Sequence, residues 1–330
     1  MRIAWHQICL NGLWIAGLAL MMTNIAKAEV PFFKASVSAG TMPPVEERLP
    51  KTPLVVTPME EQTIGEYGGD LRTLIGGPSD VKLMFVNGYA RLVGFTPELE
   101  IEPDILEAMD VEEGRIFTMT LREGHKWSDG APFTSEDFRY WWEDIAQNPK
   151  LSPAGPPASL LIDGEMPKVE FPDERTVIYS WSKPNPNFLS DLAGAAPLLI
   201  YRPSSYLKNH HVDHIDKSKL TPKQKIMLKS WAAQHNRLDN LYKFDNPDLP
   251  TLQPWRNTTA SPATRFVGER NPYFHRVDPE GRQLPYIDRL IFTVSEGRLI
   301  PAKAASGDLD LQARGLRLQD ATFLKENEKR

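Results

Sequence analysis

His125, Ser128 and Asp129 supply the three side-chain types used in acyl transfer, within LREGHKWSDGAPFTSEDFRYWWEDI at residues 121–145. In that chemistry a hydroxyl attacks, an imidazole takes its proton, and a carboxylate orients the imidazole. The spacing argues against it, because triad members come from separate elements that converge in space and these three share one short turn. No Gly-x-Ser-x-Gly elbow occurs in the chain. Glu123, Asp129, Glu136 and Asp137 could pair as acid and base for glycoside hydrolysis. At turns and helix starts, however, carboxylates usually serve as caps or remain solvated. His210, His211 and His214, with Asp213 and Asp216, form a third constellation. Imidazoles suit transition metals, and His210 and His214 would share a helix face. The run before them reads as the end of an exposed helix, so neither a metal nor a cofactor is expected.

The elements around the first stretch account for it without a substrate. Residues 115–121 alternate, with Phe117, Met119 and Leu121 on one strand face and Ile116, Thr118 and Thr120 on the other. Glu123-Gly124 then turns the chain, and Ser128-Asp129-Gly130 turns it again with glycine in the left-handed position. Thr134 caps a helix expected over 135–147, with Asp137 closing a capping box. Phe138, Trp141, Trp142 and Ile145 make its apolar stripe. Elsewhere, residues 70–75 read as a half-buried strand broken by Gly76-Gly77-Pro78-Ser79-Asp80. Residues 168–181 read as strand, turn and strand, and 290–294 as a further strand. Thr221-Pro222 opens a second helix, with Met227, Leu228 and Trp231 toward its core.

The first 28 residues read as a secretory signal peptide: Arg2 and His6, an apolar run from Ile8 to Met22, then Ala26-Lys27-Ala28 before the cut. The single cysteine, Cys9, lies inside this leader without a lipobox. The remainder therefore has no disulfide, thiolate nucleophile or cysteine-based metal site. The net charge of −5 loses two further cations with the leader, and no long basic run follows. An acidic exported chain is a poor partner for nucleic acid. Residues 29–66 are proline-rich, including PPVEERLPKTP, and read as an extended arm.

Residues 121–137, LREGHKWSDGAPFTSED, resemble the signature of the family 5 extracellular solute-binding proteins, the periplasmic peptide-binding components of ABC importers. Four further landmarks follow that family in order: EPDILEAM at 102–109, the hairpin at 169–181, ERNPYF at 269–274, and LPYIDR at 284–289 with ASGDLD at 305–310. The resemblance implies an α/β fold of the bilobed, type II periplasmic-binding-protein kind, with most of the second lobe missing. It implies a first-lobe base at 67–86 and 196–300, an outer subdomain at 87–195, and the start of the second lobe at 301–330. It also implies capture of peptides or small oligosaccharides, delivery to an inner-membrane ABC permease, no catalysis, a monomeric state and a periplasmic location. The alternatives are a secreted carboxylate-dependent hydrolase or a non-functional fragment.

The solute would meet Gly76, Gly77 and Asp80 after the first strand, Asn87 and Tyr89 near the lobe crossover, and Trp255. Where relatives carry a Gly-Thr-Gly-Pro-Tyr type loop, this chain has PTLQPW at 250–255, without the glycines. The change leaves the solute open, and leaves Trp255 with two roles: stacking surface or core residue. Weak or no solute binding is expected of the chain as given.

Overall fold

In the computed structural model, Thr134 and Asp137 form the expected reciprocal cap. The Glu136 N–H donates to Thr134 Oγ1 at 3.3 Å, and the Thr134 N–H donates to Asp137 Oδ2 at 3.1 Å. The structure describes residues 28–219, 221 and 228–328. The leader, apart from Ala28, and the expected helix start at 222–227 with Met227 lie outside them. The capped helix runs as α over Ser135–Arg139 and widens to π geometry over Tyr140–Ala146, where a regular α-helix was expected. Its stripe is buried as expected: Phe138, Trp141, Trp142 and Ile145 are all in the core.

The strands, in chain order, are β1 (Leu54–Val55), β2 (Asp70–Ile75), β3 (Val93–Phe95), β4 (Ile101–Pro103), β5 (Leu106–Glu112), β6 (Ile116–Leu121), β7 (Lys168–Asp173), β8 (Thr176–Ser180), β9 (Trp255–Asn257), β10 (Arg265–Arg270), β11 (Arg276–Val277) and β12 (Arg289–Val294). An antiparallel sheet, β5-β6-β8-β7, contains the expected hairpin. Phe117 and Met119 of β6 sit opposite Tyr179 and Val177 of β8, all buried under the aromatic stripe of the capped helix. A mixed sheet, β2-β12-β10-β9, pairs β2 with β12 in parallel, although the chain between them includes the whole antiparallel sheet. The helix Leu83–Gly88 covers it with Met84 and Phe85, beside Phe266, Leu290 and Phe292.

The segment expected as an extended arm is folded at its start. It makes helical turns at Pro31–Phe33, Lys34–Ser38 and Val45–Arg48, and only then extends into β1, parallel to β11. Buried Arg48 explains this. Its guanidinium donates to Glu29 and to the carbonyls of Pro43 and Pro272, so the arm wraps around a cation it must neutralise. At the other end, residues 310–312 lie along the open edge of β2. Gln312 Oε1 accepts from the Leu74 N–H at 3.0 Å and its Nε2 donates to the Leu74 carbonyl at 2.9 Å, standing in for a neighbouring strand. Among the described residues no helix is long and apolar enough to cross a membrane.

Candidate functional site

The stretch with which the sequence reading began is scaffold. His125 is buried against Phe133 and His275, with burial pushing its imidazole well below the ordinary range. Ser128 exchanges hydrogen bonds with the Thr251 backbone, and exposed Asp129 accepts from the Ala131 N–H two residues on. Gly124 and Gly130 take positive φ, as the two turns require. The carboxylates do not converge. Glu123 pairs with Lys51, Glu136 with Arg139 and Lys208, and Asp137 is the buried cap. Asp137 also accepts from Trp127 Nε1 at 3.0 Å and from the Ser204 backbone and hydroxyl; burial, outweighing these donors, raises its carboxyl to about 6.

The histidines differ from expectation. The helical turn closes at His210 and His211 is extended, so His210 and His214 do not share a helix face. His214 Nε2 lies 3.3 Å from Asp144, and His211 is buried beside Trp231. Asp213 offers its N–H to His211 Nδ1, and Asp216 accepts from Ser218. Among the described residues no group of three or more His, Cys, Asp or Glu side chains is placed to hold a metal ion.

Two apolar chambers adjoin the mixed sheet. One, of about 350 Å³, is lined by residues that include Phe274, Arg276 and Tyr286. The other, of about 160 Å³, lies between β2 and the segment carrying Leu311 and Arg314. Asn87, Trp255 and Ile287 line both. Trp255 is half-buried, and its Nε1 donates to the Ile287 carbonyl at 3.0 Å. It thus joins the two roles left open by the sequence, a packed residue that also presents a chamber wall. The glycine-free loop before it has its own anchor. Buried Gln253 accepts from the Ala90 N–H at 3.2 Å and donates to the Ala90 carbonyl at 2.8 Å. A Cβ on Gly88 would stand 3.0 Å from both Gln253 Oε1 and Pro254 Cδ, so the close-approach glycine here sits on the opposing helix.

Of the six residues named from sequence, Asn87 and Trp255 are therefore brought together. Gly76, Gly77 and Asp80 lie at the end of β2 and line neither chamber; the Gly76 N–H donates to Asp80 Oδ2 at 3.1 Å, and Asp80 Oδ1 is 3.6 Å from Arg314. Tyr89 lies elsewhere. It ends its helix in the left-handed region, at φ 44°, and its hydroxyl donates to the Ala193 carbonyl at 2.8 Å. Its ring stacks under the Arg91 guanidinium, which is buried and tied to the carbonyls of Gly194 and Ala195. Sequence reasoning missed Arg276, Tyr286 and Ile287. For Tyr286 and Ile287 the signal was the LPYIDR stretch, treated there only as a landmark of architecture; Arg276 lies outside every landmark.

Arg276 carries the only formal charge in the larger chamber's wall and is held from behind. Asp104, buried between β4 and β5, accepts from Arg276 Nε at 2.9 Å and Nη2 at 2.6 Å, from His275 Nε2 at 2.9 Å and from the Arg91 N–H at 2.8 Å. Burial would raise the Asp104 carboxyl, but Arg276 and His275 outweigh it and hold the group well below the ordinary carboxylate range. The chambers thus offer aromatic and aliphatic walls, the Asn87 amide, the Thr73 and Tyr286 hydroxyls, and two arginines, Arg276 paired with Asp104 and Arg314 near Asp80.

A profile of the bacterial extracellular solute-binding proteins, family 5, matches residues 100–330. The chain belongs to this family. It is 30% identical over 295 residues to the periplasmic alpha-galactoside-binding protein of Rhizobium meliloti, covering 83% of this chain and 40% of that one. It is 32% identical over 117 residues to the periplasmic murein peptide-binding protein MppA of Escherichia coli, 32% of this chain and 22% of that one. Among solved structures, an oligopeptide-binding protein OppA superposes with a TM-score of 0.79 at 34% identity, over 92% of this chain and 48% of that one. The binding protein MelB of Agrobacterium fabrum in complex with stachyose superposes at 0.71 and 24% identity, over 92% and 46%. The fold is thus that of the type II periplasmic binding proteins, and the family 5 chain described here spans less than half the length of these relatives.

Proposed function

We propose that this chain is the solute-capturing part of a periplasmic binding protein that serves an ABC importer, taking peptides or small oligosaccharides and presenting them to an inner-membrane permease. The observation that carries the reading is the pair of chambers meeting at Asn87, Trp255 and Ile287 beside the end of β2. Their apolar walls with a few fixed polar groups suit capture of a small solute. Asn87 supplies a polar contact, Trp255 a flat face for a sugar ring or an apolar side chain, and Gly76, Gly77 and Asp80 the backbone and carboxylate at the strand end. Tyr89, whose backbone carbonyl accepts from Arg276 Nη2 at 2.7 Å, acts as a support for this wall and not as a contact.

Capture without turnover is supported by the pairing of Arg276 with Asp104 and by the use of Glu123, Glu136 and Asp137 in ion pairs and a cap. The hydrolase alternative gains no support from them. In this reading the protein is a periplasmic monomer that does not engage nucleic acid. Residues 67–86 and 196–300 form the base of the first lobe, 87–195 its outer subdomain, and 301–330 the start of the second lobe.

Calorimetric titration of the purified chain with peptide and oligosaccharide pools tests the proposal. The expected result is weak binding that Trp255→Ala abolishes. Turnover of any pool member, or saturable binding indifferent to Trp255→Ala, would overturn it.

A further inference from the structure

A separate cavity of about 560 Å³ opens on the far side of the capped helix, between the turn Tyr140–Ala146, the proline-rich loop 151–161 and the helix Trp231–Leu238. It shares no residue with the two chambers. Leu151, Pro156 and Leu161 supply apolar walls, while Ser152, Arg202, Asn236 and Asp239 supply the polar lining.

That polar lining is unusual in its balance. Arg202 Nε donates to Asp239 Oδ1, and Arg202 Nη1 donates to the carbonyls of Leu199 and Tyr201 at 2.9 and 2.8 Å. Nη2 of Arg202 and Oδ2 of Asp239 have no hydrogen-bond partner among the described residues. Asn236 spends its Nδ2 on the Leu151 carbonyl at 3.0 Å, which leaves Oδ1 as an acceptor. With the Ser152 hydroxyl, which can both donate and accept, the lining therefore offers the Arg202 Nη2 donor and two fixed acceptors, with no net charge. An anion drawn to Arg202 would face Asp239, and a cation drawn to Asp239 would face Arg202. A neutral ligand with adjacent hydroxyls meets no such opposition, because each hydroxyl can both donate and accept. Its carbon faces would pack on the leucine and proline walls.

We propose that this cavity is a second binding site, on the outer part of the fold, for a neutral hydroxyl-rich ring such as a single sugar residue. Arg202, Asn236 and Asp239 bind its hydroxyls. The site is independent of capture at the chambers.

The purified chain is titrated with D-galactose and D-glucose, with acetate and methylammonium as charged comparators, and followed by methyl and indole NMR signals. Saturable shifts with a sugar, at the methyls of Ala154, Ala158 and Leu161 and at the Trp141 indole, are expected at millimolar concentration, with neither ion competing. Ala158→Trp, at an exposed rim position, should plug the cavity and abolish those shifts while leaving the rest of the spectrum in place. Leu161→Trp is the second plug if the first misfolds. Asp239→Asn should weaken the sugar by about tenfold through loss of an ionic acceptor. The proposal fails if no saturable shift appears, if shifts survive both plugs, if they fall only at Trp255 and Asn87, or if acetate binds more tightly than either sugar.

Discussion

Asp104→Asn is the substitution with the largest expected effect. The native carboxylate accepts four hydrogen bonds, two of them from Arg276. Asparagine keeps the shape but offers one acceptor oxygen, and its NH2 must face at least one donor. Breaking a buried ion pair by removing one partner costs ~3–5 kcal/mol. Arg276 is 19% exposed, so water recovers part of its solvation and the lower end, about 3 kcal/mol, applies. With a urea m-value of about 3 kcal/mol/M for a chain of this size, the midpoint should fall by roughly 1 M. The pH dependence adds a second readout. The folded carboxyl is held below its ordinary value, so its stabilisation is present above the ordinary carboxylate range and lost as pH falls below it. The gap between native chain and variant should accordingly narrow in acid. Urea melts at neutral and acid pH provide both measurements. A midpoint shift under about a third of that expected, or a gap that stays constant in acid, would refute the account of Asp104 as the anchor of the chamber wall.

Four further outcomes follow from particular contacts. Gly130→Ala places a Cβ 2.9 Å from the Tyr273 hydroxyl at φ +89°, and should cost about 2 kcal/mol. Gly155→Ala, at φ +78° with nothing within 4 Å, should cost about half that, both variants being compared with the native chain in urea melts. Arg72→Ala removes a well-formed pair with Asp310, but at half exposure water screens it and the urea midpoint should barely move. His235 is pushed down to about 3 by burial, with its Nε2 on Tyr140 and its Nδ1 buried without a partner among the described residues. A depressed base stabilises the fold above its ordinary pKa and loses that contribution as pH falls from 6.5 toward 3. His235→Gln should therefore flatten the decline in stability on the acid side, measured as urea midpoint against pH.

What the sequence revealed was local. The β6 alternation is a two-residue period, and the Thr134–Asp137 cap spans three residues, so both are written in adjacent letters. The π widening after Arg139 brings the Tyr140 hydroxyl to His235, a partner 95 residues away that no periodicity reports. The Gln253 clamp on Ala90 spans 163 residues, which is why the loop read only as a loss of glycines. Tyr89 was chosen for its aromatic type near a crossover, yet the Ala193 carbonyl claims its hydroxyl. Trp255 and Asn87 were legible as candidates, while Tyr286 and Ile287 were concealed inside a family landmark and Arg276 lay in none. The folding of the arm depended on Glu29 meeting Arg48, a charge pair that proline content does not disclose.

The Gln312 carboxamide on Leu74 has a bearing on solubility. A bare sheet margin invites pairing with another molecule, and protein folds blunt such margins in many ways. Here one side chain, with the Arg72–Asp310 contact beside it, shields the outermost strand of the mixed sheet. Gln312→Ala would strip both hydrogen bonds to the Leu74 backbone from that guard and expose a template for self-association. Light scattering that rises with protein concentration in the variant, and stays flat in the native chain, would be the signature.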